Sequence, residues 1–147
     1  MDIAKALAVI DRLRRGEYPA HRTRTYLGTA GPGYRMAELE TSDDFWEDDD
    51  GRRDAAAEQF ELDRDGLGER LTGRWGTPQV FSLYSVLERT LAGEDVPEPW
   101  ASLSGHVPDV QLWRARESGP WIALGVSQWD QELPFQLLAV VTDVDPP

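Results

Sequence analysis

The sequence contains no cysteine and no asparagine, and Lys5 is its only lysine. Without cysteine, the chain can form neither a disulfide framework nor a thiolate metal site. The other fourteen basic residues are arginine, a bias that fits a GC-rich coding sequence. We therefore attribute the excess of arginine over lysine first to the base composition of the genome, and only second to function.

Long apolar runs are absent as well. The most apolar stretches, near 2–15 and 137–141, are shorter than the roughly 18 to 20 residues that a membrane span needs. The first residues, Met1, Asp2 and Ile3, lack the basic head and apolar segment that are typical of a secretory signal. We expect no membrane contact and a cytoplasmic location.

The length and the remaining composition indicate one globular domain over residues 1–147. The chain has 147 residues, of which 40% are hydrophobic and 29% are charged. These values are close to globular averages, which excludes a collagen-like repeat and a wholly disordered chain. No linker rich in glycine and serine divides the sequence.

Negative charge is concentrated in one part of the chain. The net charge is −12, and residues 38–65 alone carry thirteen acidic and three basic residues, a net charge of −10. Because phosphate contacts supply most non-specific affinity for nucleic acid, this balance disfavours nucleic-acid binding. It favours a basic protein partner through long-range attraction.

Three segments show helical spacing of apolar residues: 2–15, 54–75 and 82–92. The first has the clearest boundaries, since Asp2 can cap its start and Gly16 follows three arginines in its last turn. Residues 96–108 are rich in proline and predict an irregular connection.

The sequence predicts strands at 22–28, 34–40, 109–116, 120–129 and 134–144. The residues of 22–28 and 120–129 alternate, whereas 137–141 is apolar on both faces, which suits a central or covered strand. The first two predicted strands suggest an early hairpin, and the last three suggest an antiparallel meander because their connections are short. We expect an α+β fold in which about three helices cover one face of an antiparallel sheet. The segment 41–51 is expected to be a solvated acidic loop, while the flanking halves fold as one body.

The acidic loop is the first candidate site. Phe45 and Trp46 precede Asp48, Asp49 and Asp50, a combination that suits docking to a partner through aromatic anchors and negative charge. An ordinary solvated loop and a cation site remain open as alternatives. The spacing fails the EF-hand pattern at its first and last ligand positions, so we expect no metal.

The six tryptophans provide the second candidate. Trp121 and Trp129 share strand parity, and the residues between them on that face are small. This face is either a shallow groove with aromatic ends, suited to recognition, or a sheet surface that a helix approaches closely.

A third set of residues suits a pocket beside the sheet. His106, Trp129, Asp130 and Glu132 could line it, and Glu94, Asp95 and Glu98 lie in the connection before His106. Ser102, Ser104 and Asp109 could be drawn with His106 as a triad. However, no G-x-S-x-G motif marks a nucleophile.

The glycine-rich segment 28–33 is the fourth candidate. It lacks the lysine of a phosphate-binding loop. The flanking Arg22, Arg24 and Arg35 leave a weak anion site possible.

The C-terminal half carries a resemblance. The segments 121–127 (WIALGVS) and 132–137 (ELPFQL), preceded by VPEPW at 96–100, resemble small uncharacterised proteins of high-GC actinobacteria. That resemblance implies no activity. The layout of a helix followed by an antiparallel sheet is also loosely similar to SMI1/KNR4-like immunity domains, which would imply inhibition of a toxin.

These observations predict a cytoplasmic, non-enzymatic module that binds or regulates another protein. An immunity-type inhibitor of a basic toxin is one concrete version. The candidate binding residues are Phe45, Trp46, Asp48, Asp49, Asp50, Trp121 and Trp129. The alternative is a small enzyme or small-ligand-binding domain with a pocket beside the sheet. We expect no cofactor, and the sequence indicates no particular oligomeric state.

Overall fold

The computed structural model describes residues 1–47 and 51–147, and within them seven strands form one antiparallel sheet. The helices of these ranges are α1 (Ile3–Arg15), α2 (Arg52–Trp75), α3 (Tyr84–Leu91) and α4 (Trp100–Ser104). The strands are β1 (Thr23–Arg24), β2 (Gly28–Gly31), β3 (Tyr34–Thr41), β4 (Gln79–Ser82), β5 (Asp109–Arg114), β6 (Trp121–Gln128) and β7 (Phe135–Thr142). Their order in the sheet is β1-β2-β3-β7-β6-β5-β4.

This arrangement confirms the predicted α+β class and the C-terminal meander β5–β6–β7. An early hairpin is present too, but its first strand is β2 and not the predicted strand at 22–28, of which only β1 and Gly28 lie in the sheet. Strands β2 and β3 are joined through Pro32 and Gly33, with Gly33 at a φ of 81°. Strand β3 pairs with β7, so strands from both sides of the acidic segment lie in the same sheet.

One face of the sheet, which we call the α1–α2 face, packs against the two longer helices. These helices contribute Ala6, Ile10, Leu13, Phe60, Leu67 and Leu71. The sheet contributes Ala37, Trp113, Ile122, Leu124, Leu137, Ala139 and Val141. Helix α1 begins where Asp2 accepts a hydrogen bond from the Lys5 backbone N–H at 3.0 Å, as the sequence predicted.

The opposite face, the α3–α4 face, packs against the two shorter helices and the chain that follows them. Its buried cluster consists of Leu83, Val86, Val96, Trp100, Leu103, Val107, Val110, Leu112, Ala123, Leu138 and Val140. Among the described residues of β1–β3, only Met36 packs against this cluster. The expectation that helices cover one face is therefore wrong, because helices lie on both faces.

Two elements were not predicted. Strand β4 has four residues and forms the sheet edge beside β5. Helix α4 has five residues and lies inside the proline-rich connection. Both are shorter than the windows over which hydrophobic periodicity is measurable.

The open groove between Trp121 and Trp129 is not present. Ala123 and Ser127 are 0% exposed, and a Cβ on Gly125 would lie 2.7 Å from Val107 Cγ1. The small residues of β6 thus allow close packing of the segment that follows α4.

The acidic segment is only partly as expected. Phe45 is 6% exposed, and its ring packs edge-on against Phe135 with centroids 5.6 Å apart. Its backbone N–H donates to the Glu132 carbonyl at 2.8 Å. The prediction that the whole segment stays solvated is therefore wrong at Phe45. Asp48, Asp49 and Asp50 lie outside the described residues.

Candidate functional site

A cavity of about 220 Å³ opens on the α3–α4 face, next to the area that helices α3 and α4 cover. Its floor comes from β3 and β7, and its walls come from β1, β2, the start of α4 and the residues His106 and Trp129. Two other hollows measure about 430 and 440 Å³, but they are more open to solvent.

The floor combines apolar side chains with one free hydroxyl. Met36 and Leu138 supply the apolar part. Tyr34 is 5% exposed, and burial raises the pKa of its phenol, so the hydroxyl is neutral at physiological pH. No hydrogen bond from this hydroxyl to any described residue is present. It is therefore available to hydrogen-bond a ligand.

A bulge after Glu38 turns Glu40 away from this cavity, while the regular alternation of β3 directs Glu38 toward it. Glu38 pairs with Leu138, but the next paired residue, Glu40, is opposite Leu137. Without the bulge, residues 38 and 40 would point to the same face. With it, Glu38 lines the cavity, whereas Glu40 lies beside Asp63 of α2.

Glu38 forms a closed polar cluster with its neighbours. Arg24 donates to both carboxylate oxygens, at 2.6 and 3.1 Å, and Gln136 Nε2 donates to Oε1 at 3.1 Å. The hydrogen bonds from Arg24 hold the pKa of Glu38 below its ordinary value. The charges of Arg24 and Glu38 thus compensate each other.

Glu98 lies at the start of α4, on the rim of the cavity. Its carboxylate accepts hydrogen bonds from the Ser102 backbone N–H at 3.0 Å and from Ser102 Oγ at 2.9 Å. Arg22 is on the rim as well, and both side chains act electrostatically on the Tyr34 phenol. Arg22 lowers the pKa of that phenol and Glu98 raises it.

His106 and Trp129 form one wall. The two rings stack with centroids 3.7 Å apart and an interplanar angle of 16°. His106 Nδ1 lies 2.6 Å from Ser127 Oγ, and the His106 carbonyl accepts from the Gln128 backbone N–H at 3.0 Å. Burial lowers the pKa of His106 to about 4, so the ring is neutral at physiological pH.

The structure brings together two of the four residues expected at a pocket. His106 and Trp129 line the cavity, whereas Asp130 and Glu132 do not. Asp130 Oδ1 instead accepts a hydrogen bond from the Glu132 backbone N–H at 3.3 Å, within the turn between β6 and β7. The expectation for these two residues is wrong because they lie in that turn, where the Asp130 carboxylate caps a backbone N–H.

The serines named beside His106 do not form a triad with it. Ser102 donates to Glu98, and Ser104 donates to the Ala101 carbonyl at 2.7 Å. Asp109 lies 3.6 Å from Arg64. The hydroxyl that contacts His106 belongs to Ser127, which is fully buried.

The proposed aromatic binding residues differ in their exposure. Trp46 is 63% exposed and Trp129 is 59% exposed, but Phe45 is buried. Trp121 is half-buried, donates to Asp145 Oδ1 at 2.9 Å, and lies 4.5 Å from the Arg114 guanidinium.

The glycine-rich segment does not bring its three arginines together. Arg22 and Arg24 line the cavity. Arg35 donates to the carbonyls of Arg12 and Leu13, at 2.9 and 3.0 Å, and so satisfies the C-terminal end of α1. Arg35 therefore binds the end of α1, a contact that could not be predicted from its position in the sequence.

Residues 1–47 and 51–147 contain no group of three or more histidine and carboxylate side chains placed to hold a metal ion. No helix in these ranges is both long and apolar enough to cross a membrane.

Sequence reasoning missed Tyr34, Met36, Glu38 and Gln136 as cavity residues. The alternation in β3 was a usable signal, since Tyr34, Met36 and Glu38 occupy every second position. What the sequence did not contain was the position of α4, which decides where this face is left uncovered.

Comparison of the chain with protein-family models, with curated proteins and with solved structures finds no match. The functional argument therefore depends on the geometry of the cavity.

Proposed function

We propose that this protein binds a small polar molecule in the cavity between β3, β7 and the start of α4. The observation that carries the proposal is the unpaired Tyr34 hydroxyl in a cavity whose opposite wall is the stacked pair His106 and Trp129. Apolar and aromatic walls with a few convergent polar groups are typical of ligand sites.

The size of the cavity limits the ligand. Sites for drug-sized ligands usually measure about 300 to 1,000 Å³, and this cavity measures about 220 Å³. We expect a molecule of the size of an amino acid or smaller, and no nucleotide cofactor.

The polar groups of the cavity favour binding over catalysis. Ser127 is 0% exposed, so its hydroxyl cannot reach a substrate as a nucleophile. Glu38 is held ionised by Arg24, which makes it a poor proton donor. Neither group is therefore placed to act as a nucleophile or as a general acid.

A ligand screen with a cavity-filling variant tests this proposal. Ligand-observed NMR against a set of amino acids, small sugars, amines and carboxylic acids should yield at least one ligand. Met36→Trp, which fills the cavity from its floor, should abolish that binding, whereas Trp46→Ala should not change it. If no compound binds, or if Met36→Trp binds as well as the wild type, the proposal is wrong.

A second candidate function is supported by a different observation. Trp46 is 63% exposed directly before the most acidic part of the chain. We propose that this segment docks a basic protein, in the manner of an immunity-type inhibitor, with Trp46 as the anchor.

This second function predicts a salt-sensitive complex. Replacing Asp48, Asp49 and Asp50 by serine should release a copurifying partner at low salt, and Trp46→Ala should weaken the complex at any salt concentration. The Met36→Trp variant is the matched control and should retain the partner. Retention by the triple variant at low salt would remove this candidate.

A further inference from the structure

The four charged side chains that line the cavity are not all paired with one another. Two arginines and two glutamates line it, namely Arg22, Arg24, Glu38 and Glu98. Arg24 and Glu38 are joined by two hydrogen bonds and neutralise each other. One positive and one negative charge, those of Arg22 and Glu98, therefore remain for a ligand.

Both remaining charges have free hydrogen-bonding capacity. Among the described residues, no hydrogen bond or ion pair to the Arg22 guanidinium is present. Glu98 accepts two hydrogen bonds from Ser102, whereas a carboxylate offers about four acceptor positions. Arg22 and Glu98 are exposed at the rim, so a ligand can reach them from solvent.

The Tyr34 hydroxyl is within the electrostatic influence of both charges. It is the only hydroxyl in the cavity floor, and Arg22 and Glu98 act on it with opposite sign. A ligand that contacts this hydroxyl is therefore under the electrostatic influence of a guanidinium and of a carboxylate that both line the cavity.

We infer that the cavity takes a zwitterion of amino-acid size, with its carboxylate toward Arg22, its ammonium toward Glu98 and its apolar side chain toward Met36 and Leu138. This inference rests on the proposed small-ligand function. It assigns to that site a ligand class, the free α-amino acids.

Other ligand classes leave a charge uncompensated. An anion would pair with Arg22 but would also approach Glu98, and a cation would do the reverse. A neutral sugar could hydrogen-bond both charged groups through its hydroxyls but would form an ion pair with neither. A zwitterion satisfies both groups, and an arginine fork is well suited to a carboxylate.

The apolar floor also favours an uncharged side chain. Met36 and Leu138 lie next to the stacked Trp129, and the neutral His106 adds no charge to that wall. Leucine fits these properties and is the first probe.

Titration calorimetry with three probes tests the inference. L-Leucine carries both charges, 3-methylbutylamine lacks the carboxylate, and 4-methylpentanoate lacks the ammonium. We expect L-leucine to bind at least tenfold more tightly than either analogue. Arg22→Gln should remove the preference for L-leucine over the amine, and Glu98→Gln should remove its preference over the acid.

The variants are chosen so that folding is preserved. Arg22 and Glu98 are exposed, and a glutamine at position 98 can still accept a hydrogen bond from the Ser102 N–H. Arg70→Gln, at an exposed position on α2, is the matched control and should bind L-leucine as the wild type does. Thermal unfolding of each variant verifies that it is folded.

The outcomes separate the two proposals. If no amino acid binds but another small compound binds in a way that Met36→Trp abolishes, the zwitterion inference is wrong and the small-ligand function stands. The inference is wrong as well if L-leucine binds equally to Arg22→Gln, Glu98→Gln and the wild type. If no compound of any class binds, both proposals fail.

Discussion

The two faces of the sheet are covered by helices of very different length. Helices α1 and α2 have 13 and 24 residues, and their face forms a cluster that extends from Ala37 on β3 to Trp113 on β5. Helices α3 and α4 have 8 and 5 residues, and their cluster is concentrated over β5, β6 and β7. The cavity lies where the shorter helices leave β3 uncovered.

Strand β3 contributes to both faces and shows how one segment can serve packing and binding. Ala37 is fully buried in the α1–α2 face, whereas Met36 and Glu38 line the cavity. Because successive side chains of a strand point to opposite faces, the buried residues of β3 hold the cavity residues in place. The bulge after Glu38 then separates the two carboxylates of the strand.

The largest expected contrast between the faces is in stability. Leu67→Ala removes a side chain that is 0% exposed in the α1–α2 face and should cost about 2 to 5 kcal/mol. Met36→Ala, at a half-buried position facing the cavity, should cost about 1 kcal/mol or less. Urea denaturation measures both free energies of unfolding. Equal losses would mean that the cavity floor is packed as tightly as the core.

The close packing of the α3–α4 face can be tested at Gly125. A Cβ there would lie 2.7 Å from Val107 Cγ1 and 3.2 Å from the Asp109 carbonyl oxygen. Gly125→Ala should therefore destabilise the protein by about 1 to 3 kcal/mol through overpacking. Gly73→Ala is the control, since nothing lies within 4 Å of its Cβ position in α2. That change should stabilise the helix by up to about 1 kcal/mol, and a loss at both sites would contradict the assignment.

The part of the fold that could be predicted from sequence is the part with long, regular patterns. The meander was recognisable because β6 alternates, β7 contains a continuous apolar run, and the short turns require antiparallel neighbours. Helices α1 and α2 were recognisable from spacing and from their terminal residues. Strand β4 and helix α4 were not, because four or five residues are too few for a periodic signal.

The cavity could be predicted only in part, for a different reason. His106 and Trp129 were identified because their residue types are rare and chemically distinctive. Glu38 could not be separated by type from the other 26 acidic residues of the chain. Its role depends on its pairing with Arg24 and on which part of the sheet is left uncovered, and the sequence carries no separate signal for either of these long-range features.

His106, in the wall of the cavity, should make the free energy of unfolding depend on pH in the acidic range. The pKa of His106 falls from 6.5 to about 4 on folding. As the pH is lowered, the imidazole is therefore protonated in the unfolded chain before it is protonated in the folded chain. The folded state, with its neutral His106 ring, has its full stability above pH 6.5, and part of that stability is lost as the pH falls from 6.5 to 4. Because the ring is partly exposed, we expect an effect on the order of 1 kcal/mol.

Comparison with His106→Gln isolates this contribution. Between pH 7 and pH 4.5, the urea midpoint of the wild type should fall further than that of His106→Gln. The exposed His21→Gln variant should follow the wild type. A parallel decline in His106→Gln and the wild type would show that the ring is not held neutral by burial.

The smallest and most specific contrast concerns the two carboxylates that the β3 bulge separates. Hydrogen bonds from Arg24 lower the pKa of Glu38, so its stabilisation is present above its unfolded pKa and lost in acid. Burial and the contact with Asp63 raise the pKa of Glu40, so its effect has the opposite sign and stability is lost as the pH rises.

At pH 7, Glu38→Gln should destabilise the protein and Glu40→Gln should leave it equal or more stable, each by about 1 kcal/mol or less. Both differences should shrink in denaturation at pH 3. Changes of the same sign at pH 7 would mean that the bulge does not place these neighbouring side chains in opposite environments.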